Sequence, residues 1–357
     1  MKKSASKQLS LATTAMDGAS TGFAGATNRS APVLGQPPRM FLGLGRGLLL
    51  LGMVLVAAGY SLVYLHQHPG AVAIGFWLSV LLFWAMTWIG INAVAEFETL
   101  HKNLQRLIDV LVPLCFGMWI LYLWEVITVG FGVPKVLLPA PSDIALRLVS
   151  SLDILRKDFY QTFAKAVLSG YIMGCGAGFL TAILADRFDF LRRGLLPLGN
   201  LVSALPIIGV APIMVMWFGF DWQSKAAVVV IMTFFPMLIN TVTGLNAVAT
   251  MERDLMYSYG ASYNQTLLKL RLPTALPFLF DALKINSTLA MIGAIVAEFF
   301  GTPIVGMGFR ISTEVGRMNI DMVWAEIVVA ALAGSAFYGI TALLERYFTF
   351  WHPAQRH

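Results

Sequence analysis

Glu252-Arg253-Asp254-Leu255-Met256-Tyr257-Ser258-Tyr259-Gly260-Ala261-Ser262, continuing Tyr263-Asn264-Gln265-Thr266-Leu267-Leu268-Lys269-Leu270-Arg271-Leu272-Pro273, stands between two apolar blocks of this chain, residues 226–245 and 279–300. Elementary physical chemistry gives it a shape. Asp254 opens a short helix, where the positive end of the helix dipole favours an acid. Gly260, without a Cβ, ends that helix or lets a partner approach closely. A second amphipathic turn carries Leu267, Leu268 and Leu270 on one side, and Pro273, with no N–H to donate, stops it. The expectation is a short helix–turn–helix, exposed yet shaped to dock, between two long apolar segments.

Those segments cross a membrane. Hydrophobic residues make up 57% of the 357-residue chain and charged residues 12%, with a mean hydropathy of +0.73. A soluble domain carries about 25% charged residues, which it needs to cover its surface. Here the apolar residues fall in eight blocks, near 47–65, 71–92, 108–131, 162–184, 195–218, 226–245, 279–300 and 323–344. A crossing takes ~20 apolar residues because the hydrocarbon core is ~30 Å thick. The blocks are helical, since lipid offers no partner to an unpaired backbone group. The third block carries Glu125 and the seventh Lys284 and Glu298, charges that have to face protein, water or the interface. The chain reads as an all-α polytopic membrane protein.

Its organisation follows from composition. Residues 1–46 form a tail; its first 40 residues, rich in Ser, Thr, Ala, Gly and Pro, cannot bury enough apolar surface to fold, and read as disordered cytoplasmic chain rather than a cleavable signal. Residues 47–92 form a hairpin whose loop, His66-Gln67-His68-Pro69-Gly70, holds two histidines read as solvated. A charged linker, 93–106, precedes six further spans within 107–349, and 350–357 form a second tail. With both termini inside, sixteen Lys and Arg, Arg271 among them, fall on the cytoplasmic side against seven in outside segments, Lys225 among those, the bias that sets orientation. The outer segment 132–161 carries four of those seven, and is long enough for an amphipathic stretch lying on the membrane after Pro139-Ala140-Pro141. The +6 net charge is spread between apolar blocks, so it speaks for membrane orientation and against nucleic acid. Cys115 and Cys175 sit inside apolar runs and read as packing residues, with neither metal spacing nor a disulfide framework.

The 252–277 segment resembles the cytoplasmic "EAA" loop of binding-protein-dependent ABC importer permeases. That loop has an acid, a glycine six positions on, then an aliphatic residue ten further and two before Leu-Pro; Asp254, Gly260, Leu270, Leu272 and Pro273 fill those places, with Ala261 after the glycine. Asp254-Leu255-Met256 replaces the usual Glu-Ala-Ala. Flanking pieces are similar to the nitrate/sulfonate/taurine branch of the family: Leu138-Pro139-Ala140-Pro141-Ser142, Ala204-Leu205-Pro206, Ala211-Pro212, Trp217-Phe218-Gly219, Phe235-Pro236, Asn240-Thr241 and Ala297-Glu298-Phe299. The resemblance covers roughly residues 107–352 and implies a six-helix ABC importer permease core, preceded here by an extra transmembrane hairpin.

It also implies partners. The loop 250–277 would seat in a cleft of a cytoplasmic ABC ATPase dimer, a second permease copy or paralogue would complete the pore, and a periplasmic solute-binding protein would deliver the solute. ATP and magnesium would belong to the ATPase, because this chain has no Gly-x-x-x-x-Gly-Lys loop and no Gly-Lys pair. No catalytic constellation or metal site is expected, and the implied setting is the bacterial inner membrane with its lipid. Ser203, Pro206, Met216, Asn240, Asn286 and Glu298 are the candidates for the translocation path. Prolines free backbone carbonyls that are tolerated at depth only inside protein or along a cavity. For the polar members, helix–helix hydrogen bonding is the competing role. Another class, an ion-coupled secondary transporter, would need charged midplane sites and duplicated halves. Only Glu125, Lys284 and Glu298 could serve it, and no internal repeat is apparent.

Overall fold

The computed structural model describes residues 38–68, 70, 73–95, 102–203, 206–301 and 304–351. Most of the N-terminal tail, the linker residues 96–101, Ala204-Leu205 and the Ser203 side chain lie outside the described residues. Every regular element among those described is helical. Two compact units form, one of residues up to Ser61 with Ala73–Trp119, the other of Leu62–Val72 with Ile120 onward.

The first unit draws on helices α1 (Pro38–Gln67), α2 (Ile74–Ala95) and α3 (Lys102–Gly130). Leu51, Val94 and Ile108 form its core. Gly47 and Gly90 let α1 and α2 meet, each placing bare backbone against the other helix.

In the second unit, α4 (Pro141–Ser150) and α5 (Leu152–Phe159) follow the Pro139-Ala140-Pro141 break, where an amphipathic segment is expected. A π-helical stretch, Tyr160–Val167, joins α5 to α6 (Leu168–Arg187), so the fourth span runs unbroken from Leu152 to Arg187. The expected fifth span is not one helix. It divides into α7 (Asp189–Ser203) and α8 (Ile207–Phe218), with Pro206 extended between them at φ −67° and ψ 114°. A proline disfavours helical backbone in the residue before it. Pro212 and Pro236, expected to break or kink their helices, sit inside α8 and α9 (Trp222–Asn246). The chain then forms α10 (Thr250–Ser258), a capped turn α11 (Tyr263–Thr266), a π-helical stretch Leu267–Arg271 and α12 (Leu272–Glu298). Helices α13 (Met307–Gly316) and α14 (Ile320–Phe348) complete it. Among the described residues, seven helical segments are long and apolar enough to cross a membrane.

The centre of this unit is α9, flanked by α6 and α12. A glycine ridge, Gly170, Gly174 and Gly178, brings α6 onto α9 backbone to backbone: a Cβ on Gly170 would lie 2.6 Å from Val229 Cβ, and one on Gly178 2.5 Å from the Phe234 carbonyl. Between helices in lipid, where no hydrophobic effect separates tail from side chain, such close packing supplies the attraction. Cys175 is buried in the cluster of Met237, Leu245, Ala275 and Leu279, the packing role expected of it.

Asp221 caps α9, accepting from the Trp222 N–H at 2.8 Å and from Gln161 Nε2 at 2.9 Å. The Trp222 N–H holds its carboxyl below the usual carboxylate range, against the opposing effect of burial. Asp221→Ala should therefore lower thermal stability in detergent by about 1 kcal/mol at neutral pH, the usual value of such a cap. A folded value below the ordinary one gives stability that is full above the ordinary range and lost as pH falls through the folded value. The wild-type advantage should shrink once pH drops below 3.8, the ordinary value; a pH-independent difference would refute the assignment.

Candidate functional site

Helix α10 starts at Thr250 with Glu252 in its first turn. Asp254 thus lies in mid-helix and exposed rather than at its opening. None of the residues of α10 is buried. Met251, Leu255, Tyr257 and, just beyond, Tyr259 are 80%, 57%, 86% and 81% exposed, an apolar and aromatic surface that the chain itself leaves uncovered. Gly260 ends the helix as expected, at φ +65° with open space around it; a left-handed residue just past a helix is the common glycine stop.

After Ala261 the chain restarts through a capping box: the Gln265 N–H donates to Ser262 Oγ, and the Ser262 N–H to Gln265 Oε1. The second turn does not stop at Pro273. It passes through the π-helical stretch Leu267–Arg271 directly into α12, so Pro273 lies inside a continuous helical run. Tyr263–Glu298 is therefore one helical segment of 36 residues. Nor do the leucines share a side, for Leu267 is 7% exposed and Leu268 63%. Consecutive helix residues point about 100° apart, so the two cannot share a face. Leu270, Leu272 and Pro273 are half-buried.

A clamp holds the base of this loop. Arg271 Nη1 and Nη2 donate to Asp186 Oδ2 and Oδ1 at 2.7 and 2.6 Å, and Arg271 Nε donates to the Leu245 carbonyl at 3.0 Å. Tyr263 Oη adds a donor to Asp186 Oδ2 at 2.8 Å, with Arg187 stacked over the Tyr263 ring. One arginine thereby joins the ends of α6 and α9 to the start of the Tyr263–Glu298 segment. Sequence reasoning counted Arg271 among orienting charges and passed over Asp186; no spacing rule links residues so far apart.

At the opposite end of that segment lies a second polar cluster. Glu298 Oε1 accepts from Thr162 Oγ1 and Glu298 Oε2 from the Gly308 N–H, both at 2.7 Å; Thr162 Oγ1 accepts from the Met307 N–H at 2.8 Å. Asp158 accepts from the Gly306 N–H at 2.7 Å and Arg310 Nε at 2.8 Å. Burial works against the Arg310 charge most strongly, but the Asp158 hydrogen bond together with the charges of Asp158, Glu326 and Glu314 outweighs it and raises its pKa above the ordinary value. Gly306 has φ +142°, and a Cβ there would lie 2.7 Å from Glu298 Oε1, so only glycine admits the carboxylate. Lys225, expected in an outer loop, is instead 1% exposed and donates to the Phe220 carbonyl at 2.6 Å. Glu326 is fully buried beside Asp158, in the field of Arg310 and Glu298.

The remaining charges also find partners. Glu125 accepts from the Ser142 N–H and Oγ at 2.9 and 2.6 Å and lies 3.1 Å from His66 Nε2, so His66 is not merely solvated. Lys284 pairs with Asp281 and Glu345 at 2.9 and 2.7 Å. Among the candidates for the path, Pro206 is exposed, Met216 is 76% exposed, and half-buried Asn240 donates to the Pro236 carbonyl. Asn286 is fully buried and bridges helices, donating to the Thr233 carbonyl at 2.8 Å and to Cys175 Sγ at 3.2 Å.

Residues 174–349 match the family model described as a binding-protein-dependent transport system inner membrane component. A formylaminopyrimidine transport permease, ThiX of Halalkalibacterium halodurans, is 30% identical over 256 residues, covering 71% of this chain and all of that one. A riboflavin transport system permease, RibX of Chloroflexus aurantiacus, is 29% identical over 66% of this chain and 88% of its own. SsuC of Bacillus subtilis, a putative aliphatic sulfonates transport permease, is 29% identical over 65% of this chain and 84% of its own.

Proposed function

This chain belongs to the binding-protein-dependent transport system inner membrane components, and we propose that it passes a small solute inward while a separate ATPase supplies the energy through the 250–277 loop. It is the permease component of an ABC importer and a multi-pass inner membrane protein. The observation carrying the ATPase coupling is the surface of α10 and the residue after it: Met251, Leu255, Tyr257 and Tyr259 are left mostly uncovered by the described residues, although burying such groups is strongly favourable. Docked in an ATPase cleft, they would be covered.

The partners in this reading are a cytoplasmic ATPase dimer holding ATP and magnesium, a second permease copy or paralogue, and a periplasmic solute-binding protein. Both termini lie in the cytoplasm, on the side of the loop. The solute is a small organic or inorganic anion or a vitamin precursor, the range spanned by the sulfonate, formylaminopyrimidine and riboflavin permeases it is similar to. Asp254, Gly260, Ala261, Leu270, Leu272 and Pro273 form the docking element. Ser203, Pro206, Met216 and Asn240 line the path, and Asn286 and Glu298 fasten the helices around it.

Co-purification from the host membrane in mild detergent tests the coupling, comparing wild type with Gly260→Asp and Gly260→Asn. Both side chains tolerate left-handed backbone, and they differ by one charge. Wild type and Gly260→Asn should bring down a stoichiometric ATPase, whereas Gly260→Asp should stay folded and lose most of it. An ATPase absent from wild type, or retained equally by all three, would overturn the docking role.

A further inference from the structure

We propose that α7 and the C-terminal half of α9 flank an open groove that binds a small oxyanion bearing an apolar group. The two helices border a groove of about 600 Å³ lined by Arg192, Leu196, Ile239, Val242, Thr243 and Asn246, open to the surface where Arg192, Thr243 and Asn246 are exposed. That volume suits a small organic molecule.

The lining divides by chemistry. Leu196, Ile239 and Val242 offer an apolar wall, and Arg192 brings a guanidinium with no ion pair among the described residues. Thr243 Oγ1 already donates to the Ile239 carbonyl, so it can only accept. Asn246 Nδ2 donates once to Val242 and keeps a second N–H. The available donors are therefore the Arg192 fork and one amide N–H, a set matching a sulfonate, carboxylate or phosphodiester oxygen pair. Electrostatics agree on balance. The C-terminal end of α9 is weakly negative and the first turn of α7, where Arg192 sits, weakly positive; these oppose each other. Asp189 shares that turn with Arg192 and Arg193, leaving one net positive charge. The Asp186–Arg271 clamp is internally neutral.

The same chemistry could reach the groove in two ways, as a solute in transit or as the headgroup of an anionic lipid. Assigning a travelling solute rests on the permease reading; the binding itself does not. The test uses full-length protein in phosphatidylcholine nanodiscs titrated with butanesulfonate by calorimetry. A second arm measures retention of a fluorescent phosphatidylglycerol after delipidation. Arg192→Gln should weaken whichever probe binds by about tenfold, as loss of a charge-assisted hydrogen bond does. Arg193→Gln, beside it but outside the lining, should stay within about twofold, well inside that loss. Saturable butanesulfonate binding supports the site with a soluble ligand, and phosphatidylglycerol alone supports it with a lipid one. Binding of neither probe, or equal effects of the two variants, overturns it. Either failure would leave ATPase capture by the loop unaffected, so the two readings fail separately.

Discussion

Asp186→Ala should cost about 3–5 kcal/mol of stability, the loss expected when a buried pair is reduced to one uncompensated charge. The Arg271 side chain is 13% exposed and that of Asp186 4%, so water cannot replace the missing partner. The variant would strand a guanidinium that now gives two bonds to one carboxylate, and would leave the Tyr263 hydroxyl without its acceptor. Thermal unfolding in detergent measures the loss, and hydrogen exchange over residues 250–271 locates it. The Asp186→Leu, Arg271→Met double variant should be less destabilised than the sum of its parts, because removing both charges leaves neither exposed to a dry environment. A single-variant effect below about 0.5 kcal/mol, the size of an ordinary surface substitution, would show that the clamp does not hold the loop.

Gly174→Leu should have a still larger effect and abolish a monodisperse protein in size-exclusion chromatography. A Cβ at Gly174 would strike the Thr233 hydroxyl and lie 3.0 Å from the Val230 Cα and carbonyl oxygen. Backbone has no rotamer to turn away, so α6 and α9 would have to part along the whole ridge. Overpacking ordinarily costs ~1–3 kcal/mol even where side chains can adjust. Gly176→Leu is the control, since Gly176 lies on the same helix, exposed, with nothing near a built Cβ. Similar elution of the two variants would refute the ridge.

Composition and block length made the membrane fold legible, and the acid–glycine–Leu-Pro spacing marked the 250–277 segment that we propose docks. Gly260 fell where its lack of a Cβ requires. What escaped was whatever depends on contacts between distant residues. Asp186 and Arg271 are 85 positions apart, and Thr162 and Glu298 are 136 apart; no periodicity joins either pair. Lys225 was misplaced because a lysine at the edge of an apolar block reads as a loop charge unless the carbonyls that receive it are known. Pro273 reads as a stop because a helix interior disfavours proline, yet the helical run continues through both Pro273 and Pro277. The Gly170-x3-Gly174-x3-Gly178 ridge was available as a spacing of small residues and went unread.

The uninterrupted segment from Tyr263 to Glu298 has a mechanical consequence. Thirty-six helical residues make a rod roughly 54 Å long at 1.5 Å per residue, so a tilt of about 5° about its midpoint swings each end by about 2 Å in opposite directions. The bonds that moor Glu298 are 2.7 Å long, and hydrogen bonds do not survive stretching on that scale. A push at the loop therefore leaves the far mooring two outcomes: it tears, or it drags the Thr162 turn and the Gly306–Gly308 corner along with it. The segment acts as a see-saw as far as it stays straight past the π turn at Leu267–Arg271 and past Pro273 and Pro277, the places where a helix bends.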